Sequence, residues 1–152
     1  MLTLKKIVIG SAIFSVLSIS SAIAQPLITV SQSRPVFRFS TPSFERYALF
    51  TDLNTAEAWK RVAHNAFIAH DYLNSIAAYG KAIDLAALRD RSELLEERGW
   101  VHYRLEQFER ADEDFRQAAS LHRQQREWEH YNNVRQMRRF VQYQAHRANS
   151  SG

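Results

Sequence analysis

The side chains best suited to acid–base or metal chemistry are six histidines: His64, His70, His102, His122, His130 and His146. No His-Glu-x-x-His pair is among them, and the chain has no Cys to serve as a soft ligand. His70-Asp71 looks like one piece of a metal-dependent hydrolase motif, and His64 is the histidine that would join it. Polar residues followed by Asp are also what a tight turn between helices uses, and turn chemistry is the preferred reading. Nucleophilic catalysis has no support: there is no Gly-x-Ser-x-Gly elbow and no Gly-rich phosphate loop. The expectation is therefore no catalytic residue, no metal and no cofactor. A small metal-dependent hydrolase on His64, His70 and Asp71 stands as the alternative.

The elements that must position any site are helical by period. From Thr55 onward there is no Pro, and Ala, Leu, Glu, Arg and Gln dominate. Helices are expected at about 55–69, 72–85, 91–105, 108–121 and 125–146. Within them one pattern is written twice at a spacing of 36 residues. Ala63 falls on Gly99, Phe67 on Tyr103, Tyr72 on Phe108 and Ser75 on Ala111. Tyr79 falls on Phe115, Ala82 on Ala118 and Leu85 on Leu121. Such a period indicates stacked helix–turn–helix units. Small residues at 63, 99, 82 and 118 allow close helix approach, and the aromatics at 79 and 115 fill the space left.

The motif Phe108-x2-Ala111-x3-Phe115-x2-Ala118, with Ser75-x3-Tyr79-x2-Ala82 one unit earlier, resembles the second helix of the tetratricopeptide repeat. The resemblance covers about 70 of the 152 residues. It implies an all-α fold of antiparallel helix–turn–helix repeats whose first helices line a concave, partner-binding face. Carried over by position, that face comprises Lys60, His64, Phe67, Glu96, Trp100 and Tyr103, with Glu93 beside them. Phe67, Trp100 and Tyr103 would make an aromatic platform, although Trp100 would alternatively pack under the C-terminal helix or the preceding arm. The family's clamp for a peptide carboxylate needs Lys and Asn. Lys60 fits, but His64 stands where the Asn is expected, so that specificity is not implied. Arg98 and His102 stand where the family has Leu and Tyr. A buried, unpartnered Arg is costly, so these two are expected to reach solvent or to loosen the second unit.

The rest of the chain divides around the repeats. Residues 1–24 read as a secretory signal peptide: Lys5 and Lys6, an apolar Ile7–Ile19 run, and an Ala22-Ile23-Ala24 cleavage site. This predicts an exported protein, most simply periplasmic, since a secreted domain without disulfides is uncommon. Secreted and uncleaved membrane-anchored forms are the alternatives. Residues 25–54 hold all three prolines and read as an extended arm, with one short helix expected over 42–50. Val36, Phe37, Phe39, Phe44 and Tyr47 make it too apolar for a plain linker, so it is expected to lie along the groove or one edge of the stack. Residues 55–121 are the two repeats, 122–147 a capping helix, and 148–152 a disordered tail.

The formal charge of +4 falls to +2 without Lys5 and Lys6. Residues 25–119 carry 12 basic and 14 acidic side chains, while 120–152 carry six Arg against Glu127 and Glu129. That asymmetry is too weak for a nucleic-acid binder. Arg135, Arg138 and Arg139 form either the solvated face of the last helix or a basic surface for anionic lipid or an acidic partner. The reading that results is an exported adaptor or scaffold that binds a protein or peptide in its groove, as in a cell-envelope assembly. A structural homo-oligomer is a further alternative.

Overall fold

In the computed structural model, residues 34–150 are described. The signal-peptide expectation for residues 1–24, and residues 151–152 of the tail, lie outside them. The described residues are all-α, with five helices: Ala56–Ile68 (α1), Tyr72–Leu85 (α2), Arg91–Arg104 (α3), Phe108–Gln125 (α4) and Trp128–Ser150 (α5). A single 3₁₀ turn, Leu88–Asp90, joins α2 to α3. Each helix packs on its successor.

The ends of these helices follow from local chemistry. Thr55 caps α1 by accepting the Ala58 N–H, and Asp71 caps α2 by accepting the Asn74 N–H. Three links repeat one turn. A left-handed residue (His70, Glu106 and Arg126, φ 60°, 57° and 63°) is followed by a polar residue and then an aromatic. In each, the N–H of the polar residue reaches back five positions: Asp71 to Ala66 O, Gln107 to His102 O, and Glu127 to His122 O. This is the Schellman closure, which satisfies the last carbonyls of the preceding helix. The first two turns lie one 36-residue period apart, and the third closes α4 onto α5.

The third turn moves one boundary. Residues 122–125 belong to α4, not to the final helix, because α4 continues until Arg126 adopts the left-handed conformation. At the other end α5 runs to Ser150, so residues 148–150 are helical rather than tail, and the Ser150 hydroxyl bonds back to His146 O.

Two buried clusters share α3. One joins α1, α2 and α3 through Ala63, Ala78, Tyr79, Ala82, Leu94 and Val101. The other joins α3, α4 and α5 through Leu95, Ala111, Phe115, Ala118, Val134, Met137 and Val141. Tyr79 and Phe115 are fully buried. Gly99 is where α3 presses closest to α4: a Cβ there would sit 3.0 Å from a Phe115 ring carbon.

Arg98 is partly exposed and does not disturb this packing. Its guanidinium grips buried Asp114 with two hydrogen bonds, 2.9 and 2.7 Å long. His102 is buried beside it, with Nδ1 2.7 Å from Gln107 Oε1. Arg98 and His102 are thus held by polar partners inside the α3–α4 interface.

Among the described residues, 34–55 ahead of α1 contain no helix. Residues 42–50 form no helix, against the short one expected; within them the Glu45 N–H and both Tyr47 backbone groups bond instead to His64 and Asn65 of α1. Over residues 36–40 the side chains alternate outward and inward, as in a strand.

Candidate functional site

The helices α1, α3 and α5 turn one set of side chains to a common face, and the arm crosses it. Near its start the arm lies on α5. Phe37 meets Phe140 and Tyr143, each with ring centroids 5.5 Å apart. Phe39 sits between Phe140 (5.2 Å) and Trp100 (6.0 Å). Farther on the arm lies on α1, where Phe44 stacks on Phe67 at 3.8 Å. Phe39 packs on one buried cluster and Phe44 on the other.

Between these rings two asparagines hold the arm by its backbone. Asn133 on α5 accepts the Ser40 N–H at 2.7 Å and donates to Ser40 O at 3.1 Å. Asn65 on α1 accepts the Tyr47 N–H at 2.8 Å and donates to Tyr47 O at 2.7 Å. Each carboxamide serves one residue as a neighbouring strand would. A flipped amide would set donor against donor, so the network fixes its orientation. Arg61 closes the far end, its guanidinium 4.2 Å from the Phe50 ring centroid.

Of the six residues expected to bind a partner, Lys60, His64, Phe67 and Trp100 meet this arm or the polar groups beneath it, Tyr103 packs on Trp100, and Glu96 does not join them. Trp100 and Tyr103 pack together with centroids 4.9 Å apart, and Tyr103 also lies against Phe140, whereas Phe67 belongs to the other cluster and meets Phe44 and Tyr72, so the three do not form one platform. Trp100 packs under arm residue Phe39. His64 is buried under Phe44 and Tyr47. Its Nδ1 accepts the Glu45 N–H at 3.4 Å, which leaves the ring proton on Nε2. That atom lies 3.3 Å from Glu97 Oε2, without hydrogen-bond geometry. Lys60 bonds Glu93 at 2.6 Å and lies 3.3 Å from Glu97. Burial pushes the Lys60 ammonium down, but the carboxylates of Glu97 and Glu93 outweigh it and leave the pKa raised. Tyr79 completes the group, its phenol pKa pushed far up by burial and by Glu97.

Glu96 points elsewhere. It is buried against His122, whose Nε2 is 2.5 Å from Glu96 Oε1 and whose Nδ1 is 2.6 Å from Glu127 Oε2. Burial lowers the His122 pKa, but the two carboxylates more than offset this and raise it overall. The His130 ring stacks on His122 at 5.1 Å. These groups border a hollow of about 500 Å³, roofed by arm residues 40–43 and floored in part by Met137.

The residues of the hydrolase alternative are engaged separately. His70 bonds the Tyr72 hydroxyl in the turn, Asp71 caps α2 and bonds the Asn74 side chain, and His64 lies under the arm. Among the described residues, the one gathering of three metal-ligating side chains is Glu96, His122 and His130 instead. The basic trio of α5 divides as well. Arg138 makes two 3.0 Å bonds to Asp112, Arg135 lies 5.4 Å from the Tyr131 ring centroid, and Arg135 and Arg139 are exposed.

Sequence reasoning did not single out Asn65, Asn133 or Glu127. One signal was present: Asn is a poor residue for a helix interior, and both asparagines sit well inside helices. Asn65 also adjoins His64, the position at which the tetratricopeptide resemblance asks for Asn. Neither a protein-family model, a curated protein nor a solved structure matches the chain.

Proposed function

We propose that this chain is an exported, tetratricopeptide-like adaptor that holds an extended segment of a protein partner along the face of α1, α3 and α5. The observation that carries the reading is the pair of asparagine clamps. Asn65 and Asn133 each bind both backbone groups of one residue in an extended segment. Clamps of this kind read the main chain and are indifferent to side chains. Selectivity then comes from two aromatic sites, Trp100 with Phe140 and Phe67 alone, which accept rings at the positions of Phe39 and Phe44. No covalent step is involved. The arm occupies the face in cis at high effective concentration, so a partner segment binds by displacing it.

The test is reconstitution in two pieces. A labelled peptide of residues 34–50 is titrated by fluorescence anisotropy into the chain beginning at residue 51. Binding is expected, and Trp100→Ala should weaken it about 30-fold, the cost of losing a central aromatic anchor of roughly 2 kcal/mol. A truncated stack that keeps its helical circular dichroism yet ignores the peptide would rule the reading out.

A further inference from the structure

We propose that Glu96, His122 and His130 bind a divalent transition-metal ion, with Zn²⁺ the best match, and that Glu127 orients the central ligand. The inference is independent of the peptide-binding reading. The three come from different helices: Glu96 from α3, His122 from the last turn of α4, and His130 from the first turn of α5. One ligand atom from each lies within 4.8 Å of the other two. Helices fix such positions more rigidly than loops do, which a metal site requires.

The chemistry of the set is specific. Two imidazoles and one carboxylate form a nitrogen-rich, borderline-soft donor group that suits Zn²⁺ and not Ca²⁺ or Mg²⁺, which take oxygen ligands. Glu96 and His122 are buried, and His130 is exposed on the rim. The ion would thus be held by two interior ligands and admitted past the third. Three protein ligands leave a fourth position, facing the hollow under the arm, for water or a small ligand.

His122 is oriented as a zinc-binding histidine is. Its Nδ1 faces Glu127 Oε2 at 2.6 Å, its Nε2 faces Glu96, and His130 stacks on its ring. When a carboxylate accepts the Nδ1 proton, the Nε2 lone pair is left to the ion. Ligand atoms around tetrahedral zinc stand about 3.3 Å apart, given bonds of roughly 2.0–2.1 Å. Glu96 Oε1 and His122 Nε2 are now 2.5 Å apart. Less than an ångström of side-chain movement opens the pair for the ion. The exposed His130 ring has room to turn toward it.

The test uses the whole purified protein, stripped with chelator and titrated with Zn²⁺ by calorimetry. Co²⁺ absorption serves as a second probe, because tetrahedral nitrogen–oxygen coordination gives intense visible bands. One equivalent per chain is expected. His130→Ala changes an exposed side chain and should weaken binding at least tenfold, with helical circular dichroism unchanged. Glu127→Gln should weaken it about ten- to a hundredfold, the usual effect of losing such an orienting group. His70→Ala and His146→Ala are remote controls and should bind as the unaltered protein does. The proposal is overturned if no equivalent binds, if His130→Ala binds normally, or if the remote variants lose the ion equally.

Discussion

Replacing Asn65 by Ala should loosen the arm without weakening the helices. The Asn65 carboxamide makes two bonds to Tyr47, of 2.8 and 2.7 Å, in a half-buried setting. A net hydrogen bond contributes about 0.5–1.5 kcal/mol, so the pair is worth about 2 kcal/mol. That raises the open fraction of the Tyr47 region about 30-fold, at roughly 1.4 kcal/mol per decade. Asn133→Ala removes two bonds in an exposed setting, 2.7 and 3.1 Å long. Half the effect is expected, about 1 kcal/mol and fivefold. Trypsin supplies the assay. Arg46 adjoins Tyr47, Arg38 lies two residues before Ser40, and both are exposed. When closing outpaces cleavage, the cleavage rate follows the open population. Asn65→Ala should accelerate the cut at Arg46 more than that at Arg38, and Asn133→Ala should do the reverse. The docked arm belongs to the folded state, so the melting temperature should fall too, offset only by the roughly half a kcal/mol of helix propensity that Asn→Ala gains, while the helical circular dichroism before melting stays unchanged. Cleavage at the unaltered rate, or a loss of helical circular dichroism before melting, would refute the idea that these asparagines hold the arm.

Four further outcomes follow from the packing and the buried polar groups. Gly99→Ala should destabilise by about 1 kcal/mol, because strain against the fully buried Phe115 ring, 3.0 and 3.1 Å away, exceeds the helix-propensity gain. Gly80→Ala has open space around it and should stabilise by up to about 1 kcal/mol; urea titration of both checks the opposite signs. Arg98→Leu strips buried Asp114 of its two bonds. With Arg98 itself partly exposed, the loss should be about 2–3 kcal/mol, with recovery in the Arg98→Leu/Asp114→Leu double variant. Burial pushes the His102 pKa below its ordinary value of 6.5, and the Gln107 hydrogen bond and Asp114 oppose this only in part. The unfolded chain then takes up a proton below about pH 6.5 that the folded one does not, so this contribution is complete above that pH and lost as pH falls. His102→Gln should flatten the decline of the urea midpoint between about pH 6.5 and 5.

The helices were legible because small and aromatic residues recur at a helical period, and Ala82, Ala118, Tyr79 and Phe115 are all buried. The turn at His70-Asp71 was legible too, from polar residues closing an apolar period. Its copy at Arg126-Glu127 was not, since neither Gly nor Pro marks it and the register of 36 fails there. The aromatic character of the arm announced that it would be covered. That it would lie along the stack was expected too, but the side chains that grip it were hidden, because Ser40 and Asn133 are 93 positions apart. Arg98 looked like a defect in the pattern, since its partner Asp114 is chosen by the relative phase of two helices. The same geometry conceals Glu96, His122 and His130, whose spacing along the chain matches no local motif.

The arm also bears on the order in which the molecule is completed. Helices packed on their chain neighbours make short-range contacts and close quickly. The Ser40–Asn133 bonds and the Phe37–Phe140 contact must await the last helix. In a chain made from its N-terminus, the arm is the earliest of these parts to appear and the last to be buried. Throughout that interval Phe37, Phe39 and Phe44 stand uncovered on an extended strand-like segment, the kind of surface that chaperones hold and that aggregation exploits. The final helix therefore sets the time at which the newborn protein becomes safe from its own N-terminal segment.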